Sequence, residues 1–372
     1  MTRQLEPDQT PQPIRVPKSP GFWKETWNIF KRKKLAMLAV YYVVFLSLVA
    51  MGSPFIVGTK PIVTKYQGNV YFPAMGYFSP KWENPIFVKD GFAKQYYRLQ
   101  ERDPDSWAIW PLIYQDPKRR IKADEWPDNP GNPASFGEGQ QPSWQNLFGT
   151  TSGGIDVFAQ MVHATRTALL VGFVSMGIAG IVGITLGAFA GYFGGWIDTI
   201  ISRIIELILC LPTLVLILAL LAVVDKTTIW HLMVIIGLTG WTGIARLTRA
   251  EFLKLKKSDF VAAARVLGVG QFRIIFRHIL PNSLAPVLVP ITFGIASAIL
   301  LESGLSFLGV GGDPSSPSWG KLLDEGRSNH NAWWLIFFPG MAVFSAVLSY
   351  NLIGEGLQEA TDPRLRDGSE SA

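Results

Sequence analysis

The amino-acid sequence predicts an all-α polytopic membrane protein with six transmembrane helices and an external insertion after the first. Three observations carry that prediction. Hydrophobic residues make up 48% of the 372 and charged residues only 17%, and mean hydropathy is positive at +0.23. Six apolar runs, roughly 35–57, 166–191, 200–224, 228–247, 282–309 and 333–356, approach the length of about 20 residues that a bilayer demands. Basic residues gather beside those runs at Lys31, Arg32, Lys33 and Lys34 and again between Arg246 and His278, and the positive-inside rule puts both groups in the cytoplasm.

In chain order, residues 1–34 form a cytoplasmic N-terminal segment. The run 35–57 is an uncleaved anchor, since a long polar stretch precedes it and no small-x-small cleavage site follows. Residues 58–148 then lie outside. Tyr66, Tyr71, Phe72, Tyr77, Phe78 and Trp82 suggest a packed cap in the first half, with an irregular loop on the membrane surface as the open alternative. Pro127 to Ser143, PDNPGNPASFGEGQQPS, is a turn-rich strap. The core 149–360 holds the other five spans, and the even span count returns the tail 361–372 to the cytoplasm.

Within the second span Gly183, Gly187 and Gly191 recur every four residues with Gly180 near them. Such a small-residue face lets another helix approach closely where lipid offers no hydrophobic drive. Gly194 and Gly195 break that helix, and Trp196 anchors the interface. Arg203 and Glu206, one turn apart in the third span, predict an ion pair. Glu302 is isolated in the apolar run of the fifth span, where burial is costly, and is the candidate for a residue facing a translocation path.

The segment 249–281 lies between the fourth and fifth spans. From Arg246 to His278 eight Lys and Arg outnumber two acids, Glu251 and Asp259. Leu253, Phe260, Ala264 and Leu267 recur at helical spacing as one apolar face. Gly268 ends that helix, Gly270 leaves a hinge, and a second short helix carries Phe272, Ile275, Phe276 and Ile279 until Pro281 stops it. A charged, amphipathic helix-turn-helix between spans is suited to being held by a partner.

The composition also excludes function classes. A pI near 9.3 could suggest nucleic acid, yet the basic residues follow the spans and no nucleic-acid-binding motif accompanies them. Cys210 is the one cysteine, which rules out a disulfide framework. His163, His231, His278 and His330 are scattered and give no metal-ligand spacing. No phosphate-binding Gly-x-x-x-x-Gly-Lys-Ser/Thr loop occurs, so the chain needs no cofactor of its own and any ATP is bound by another polypeptide.

At 249–281 the chain resembles the cytoplasmic coupling loop, or EAA loop, of permease subunits in bacterial ABC importers. Ala263, Ala264, Gly268, Leu280 and Pro281 fall in register with the family pattern, while Ala262 stands where its Glu would be. The run Arg277 to Asn282, RHILPN, is similar to the dipeptide and oligopeptide branch. So are Phe148 to Thr151, Gly154 to Val157 (with Ile155 for the usual Arg), Ala190 to Asp198, Leu211 to Leu214, Leu300 to Gly311, Pro317 to Arg327 and Ala360 to Arg366. The likeness runs from Leu147 to Arg366; the segment 58–148 is longer than the family's usual connection.

The resemblance implies a type I ABC importer permease-like fold and a translocation subunit rather than an enzyme. It implies ABC ATPase subunits as partners, contacted through Glu251, Asp259, Phe260, Ala263, Ala264, Arg265, Leu267, Gly268, Arg277, Leu280 and Pro281. A second homologous permease subunit, a periplasmic or extracellular solute-binding protein, a peptide-like solute and membrane lipid complete the set, in a bacterial inner membrane with both termini cytoplasmic. The exact solute stays open among dipeptides, oligopeptides, nickel chelates, opines and glutathione. A gradient-driven secondary transporter is the alternative, but it has no use for an ATPase-docking loop, and neither a repeated half nor a chain of acids for a proton relay is visible.

Overall fold

Helix α1, Phe22–Arg32, leads at once into α2, Lys34–Ile56, because the uninterrupted apolar sequence that follows Lys34 has no water to compete for its backbone once it is in lipid. The computed structural model describes residues 22–82, 84, 86–87, 96–121, 141–312 and 316–361. Most of the strap 127–143 and the tail 362–372 lie outside the described residues.

The remaining helices are α3, Val157–Phe193, α4, Gly195–Leu209, α5, Thr213–Ala222, α6, Ile229–Leu255, and α7, Asp259–Val266. After them come α8, Leu280–Phe307, α9, Trp319–Ser328, and α10, Trp334–Thr361. Among the described residues four helices are long and apolar enough to cross a membrane: α2, α3, the continuous stretch Gln271–Phe307, and α10. They become five if α4 and α5 count as one broken span. Helix α6, although 27 residues long, is not among them.

The third apolar run is not one straight helix. It breaks between α4 and α5 with a bend of 89°, for Pro212 has no N–H to donate and disfavours helical geometry at Leu211 before it. Pro281 likewise does not stop a helix. It occupies the first turn of α8, where its missing N–H costs least, and the π-helical stretch Ile274–Ile279 runs straight into it.

The fold is mostly helical rather than all-α. Strands β1, Val63–Tyr66, β2, Asn69–Tyr71, and β3, Trp107–Ile109, form an antiparallel sheet in the order β2-β1-β3. Gln67 and Gly68, both at positive φ (48° and 78°), make the tight turn between β1 and β2 that mirror-image hairpin turns require. Tyr66, Phe87, Tyr96 and Leu99 are buried behind this sheet with Tyr71 and Trp110 against them. Phe72 and Trp82, in contrast, stay exposed.

At the centre α3 packs along α6. A Cβ on Gly183 would meet the Trp241 carbonyl oxygen at 2.8 Å, and Gly187 and Gly191 would strike the Ala245 and Arg249 carbonyls. The three glycines therefore seat one backbone on another, which is the only way this pair of helices can come so close. At 1.5 Å per residue the 37 residues of α3 reach about 55 Å, long enough to join two distant ends of the bundle.

One end carries the sheet. There the His163 Nε2 lies 2.9 Å from the Val57 carbonyl, and Arg166 donates to the carbonyls of Tyr77 and Phe78, each at 3.2 Å. At the other end α3 meets α7. Helix α10 starts near the sheet end, where Trp334 Nε1 donates to the Thr150 carbonyl at 2.9 Å. It finishes against α1: Phe30, Ala36 and Ala360 form a small core, and Lys33 pairs with Glu359.

Candidate functional site: the coupling end

Lys256 to Ser258 turn the chain from α6 into α7, with the Ser258 hydroxyl donating to the Leu255 carbonyl at 2.6 Å. Asp259 sits in the first turn of α7, where a negative charge complements the helix N-terminus. Gly268 closes the helix at φ +74° as the Val269 N–H bonds the Ala264 carbonyl at 3.1 Å, the left-handed stop that favours glycine. Among the described residues no atom would lie within 4 Å of a Cβ at Gly268, so the constraint there is conformational and not crowding.

The loop has two apolar faces. Val261, Ala264, Ile274, Ile275 and Ile279 turn inward and pack on Ala188, Tyr192 and Phe252. Lys256 donates to the Tyr192 carbonyl, and the Lys256 and Arg265 cations lie over the Tyr192 ring at 5.5 and 5.8 Å. A bidentate pair between Arg249 and Asp198, with Nη2 to Oδ2 at 2.7 Å, fixes the start of α4 to the end of α6. The second face points away from the chain. Leu267 is 80% and Val266 88% exposed, and Phe260, Phe272 and Phe276 are exposed beside them.

The sequence expectation of one face containing Leu253, Phe260, Ala264 and Leu267 is therefore corrected. Ala264 is buried inside the chain, whereas Leu253, Phe260 and Leu267 are exposed. Ala263, Arg265, Arg277 and Pro281 are exposed, Leu280 is half-buried, and Glu251 lies 3.8 Å from Lys254. In the second short helix Ile275 and Ile279 go inward while Phe272 and Phe276 go outward, two i,i+4 pairs on opposite faces. Val266 was not singled out by sequence reasoning, and neither was the seat formed by Tyr192 and Phe252; no local motif marks them, since they become neighbours only when α3 lies along α6.

Glu302 has a different place from the one its sequence setting suggests. It is 1% exposed, and its carboxylate accepts from the hydroxyls of Ser306 and Ser318, each at 2.8 Å. It ties α8 to the start of α9 instead of facing open space. Arg203 and Glu206 do pair, at 2.6 Å, on an exposed face where such pairs contribute little.

Residues 183–367 match the family model for the binding-protein-dependent transport system inner membrane component. Residues 21–73 match that for the N-terminal TM domain of oligopeptide transport permease C. The "Peptidoglycan transport system permease protein YejE" of Agrobacterium fabrum is 32% identical over 368 residues, covering 94% of this chain and 95% of that one. The "Dipeptide transport system permease protein DppC" of Alkalihalophilus pseudofirmus is 40% identical over 228 residues, 61% of this chain and 75% of the relative. Its Haemophilus influenzae namesake is 37% identical over 235 residues, 63% and 79%. In solved structures, the "MetNI methionine ABC transporter" aligns with 55% of this chain and 97% of that chain, at 15% identity and a TM-score of 0.46.

Proposed function

Because the chain belongs to the family of binding-protein-dependent transport system inner membrane components, it is a transport permease, and we propose that its exposed apolar face on α7 and the turn after it receives the ATPase of an ABC importer. The observation that carries this reading is the pairing of a firm seat with an open face: five large apolar side chains stand in a segment too charged to lie in lipid. Exposed apolar clusters of that kind mark interaction sites.

On this reading ATP is bound by the partner. Its closure pulls α7, and α7 moves α3 and α6 through the Tyr192 and Phe252 packing. ATP binding supplies the differential affinity, and this chain turns it into gate position. A second permease subunit forms the other half of the path. The basic residues around α7 and before α2 favour a cytoplasmic coupling end, which places both termini inside and the sheet outside toward a solute-binding protein. Six crossings then count α6 and the bent pair α4 and α5 as spans. Peptides, carried by relatives according to their names, are the expected solutes.

Reconstitution into liposomes with the ATPases, the second permease and the binding protein tests this. ATP-dependent accumulation of peptide is expected. Accumulation driven by a proton gradient without the ATPase would replace this reading with that of a secondary transporter.

A further inference from the structure

Helix interiors disfavour glycine by about 1 kcal/mol relative to alanine, so each helical glycine in this chain calls for a reason. Gly183, Gly187 and Gly191 have one in the α3 to α6 packing. Gly240 and Gly243 in α6 and Gly304 in α8 do not: among the described residues a Cβ on Gly243 or Gly304 would meet nothing within 4 Å, and one on Gly240 would make only an ordinary contact at 3.8 Å. All three border the same cleft, a cavity of about 690 Å³ between α3, α5, α6 and α8 that Thr213, Thr242 and Ser297 also line.

A second, independent observation concerns Thr242. Hydroxyls inside helices normally bond back to a carbonyl one turn earlier, and its neighbours do so: Thr239 to Ile235 at 3.0 Å, Thr248 to Ile244 at 2.8 Å and Ser297 to Phe293 at 3.1 Å. Thr242, only 5% exposed, lines the cleft with no hydrogen bond from its hydroxyl among the described residues. Left without a partner inside the chain, that hydroxyl can take one from a solute in the cavity beside it. No charged side chain lines the cleft among the described residues.

We infer that this cleft is the chain's share of the solute passage, with the Thr242 hydroxyl as a hydrogen-bonding contact for the amide groups of a passing peptide and Gly240, Gly243 and Gly304 keeping its bore wide. The inference rests on the proposed transport reading and names the wall of its path. The absence of charge suits transit, because a passage must hold its cargo weakly enough to release it.

The test uses the complete complex in liposomes, saturated with binding protein, and an alanine peptide series from two to six residues as probe. Peptide carried per ATP hydrolysed is the readout. Thr242→Val, which removes the hydroxyl and keeps the shape, should lower that ratio roughly two- to ten-fold, the span expected for one lost hydrogen bond, while Thr242→Ser restores it. Gly243→Leu should exclude the longer peptides before the shorter ones with ATP hydrolysis intact. An unchanged ratio in Thr242→Val, or an equal loss in Thr242→Ser, would overturn the role of the hydroxyl. Loss of the second permease from purified Gly243→Leu complexes would make the glycines a packing surface between subunits and overturn the passage. Failure of the wild-type complex to carry any peptide with ATP would overturn the transport reading itself, and this inference with it.

Discussion

At the sheet end of α3 the Arg166 guanidinium places its hydrogen bonds on the Tyr77 and Phe78 carbonyls and lies 4.5 Å over the Phe78 ring. At the other end Tyr192 meets α7 through apolar packing, and beyond α7 five large apolar side chains remain uncovered. Some polar groups of the sheet end find partners in the chain, although the Ser106 hydroxyl and the Asn146 side-chain amide are buried without one. The Thr59 N–H donates to the Tyr77 hydroxyl at 2.9 Å and the Thr59 hydroxyl to Asp116 at 2.8 Å, in a setting where burial pushes the Tyr77 phenol above its usual range with Asp116 adding to the shift. The coupling end, by contrast, is firm inside and unfinished outside. One helix thus joins a cap packed on its own side chains to a face left open, and on the proposed reading that asymmetry is what a subunit transmitting motion requires.

The largest effect is expected from breaking the unfinished side. Replacing Leu267 and Phe272 together by Asp removes two apolar anchors worth about 1.5–3 kcal/mol each when buried, so ATPase retention should fall by more than about 100-fold in a binding titration on detergent-solubilised complex. Membrane insertion should be unchanged, because both side chains are exposed within the chain. Next comes Gly187→Leu, which strikes the Ala245 backbone and disturbs both ends at once. It should cost about 3 kcal/mol or more, read as a lower melting temperature and less protein in the membrane.

Arg166→Ala should have a smaller and local effect. It frees two carbonyls and a ring face and loosens the cap by about 1–3 kcal/mol, seen as faster hydrogen exchange at 59–82 with ATPase retention intact. A last effect depends on pH and concerns Asp156, which caps α3 by accepting from the Ala159 N–H at 2.7 Å. Burial pushes its carboxyl up to about 7 against the pull of the Ala159 and Phe158 N–H groups. The native state then holds the proton more tightly than the unfolded chain, whose carboxyl titrates near 3.9. Its contribution is therefore full below about pH 4 and is lost as pH rises through about 7. Melting temperature should decline over that window, and Asp156→Asn, which keeps the cap, should flatten the decline.

The helical bundle and its coupling end could be read from the sequence to different depths. Four of the six expected spans, 35–57, 166–191, 282–309 and 333–356, were legible because they depend on apolar length alone, and α2 matches its run to within a residue at each end, whereas the run 200–224 is broken and α6 is not among the helices apolar enough to cross. The glycine face of α3 was legible too, since a four-residue repeat has one geometrical meaning on a helix. The 89° bend could have been read from Pro212 itself, but two features needed the third dimension. The hairpin at Gln67 and Gly68 was hidden by strands of only three and four residues, too short for a period. The faces of α7 depend on which side Tyr192 and Phe252 take, a contact between residues 60 apart in sequence, and helical spacing alone gives a stripe without a direction. Glu302 misled for a related reason: its serine partner at 318 lies in another element.

On the proposed reading the outer face of α7 touches the ATPase. A photoreactive benzophenone side chain placed at position 267 of the assembled complex tests it most directly, because Leu267 is exposed and its replacement disturbs no packing within the chain. Illumination should join this chain to the ATPase subunit, and the yield should change when ATP is bound. Adducts confined to lipid or to this chain itself would contradict the assignment of this face to the ATPase.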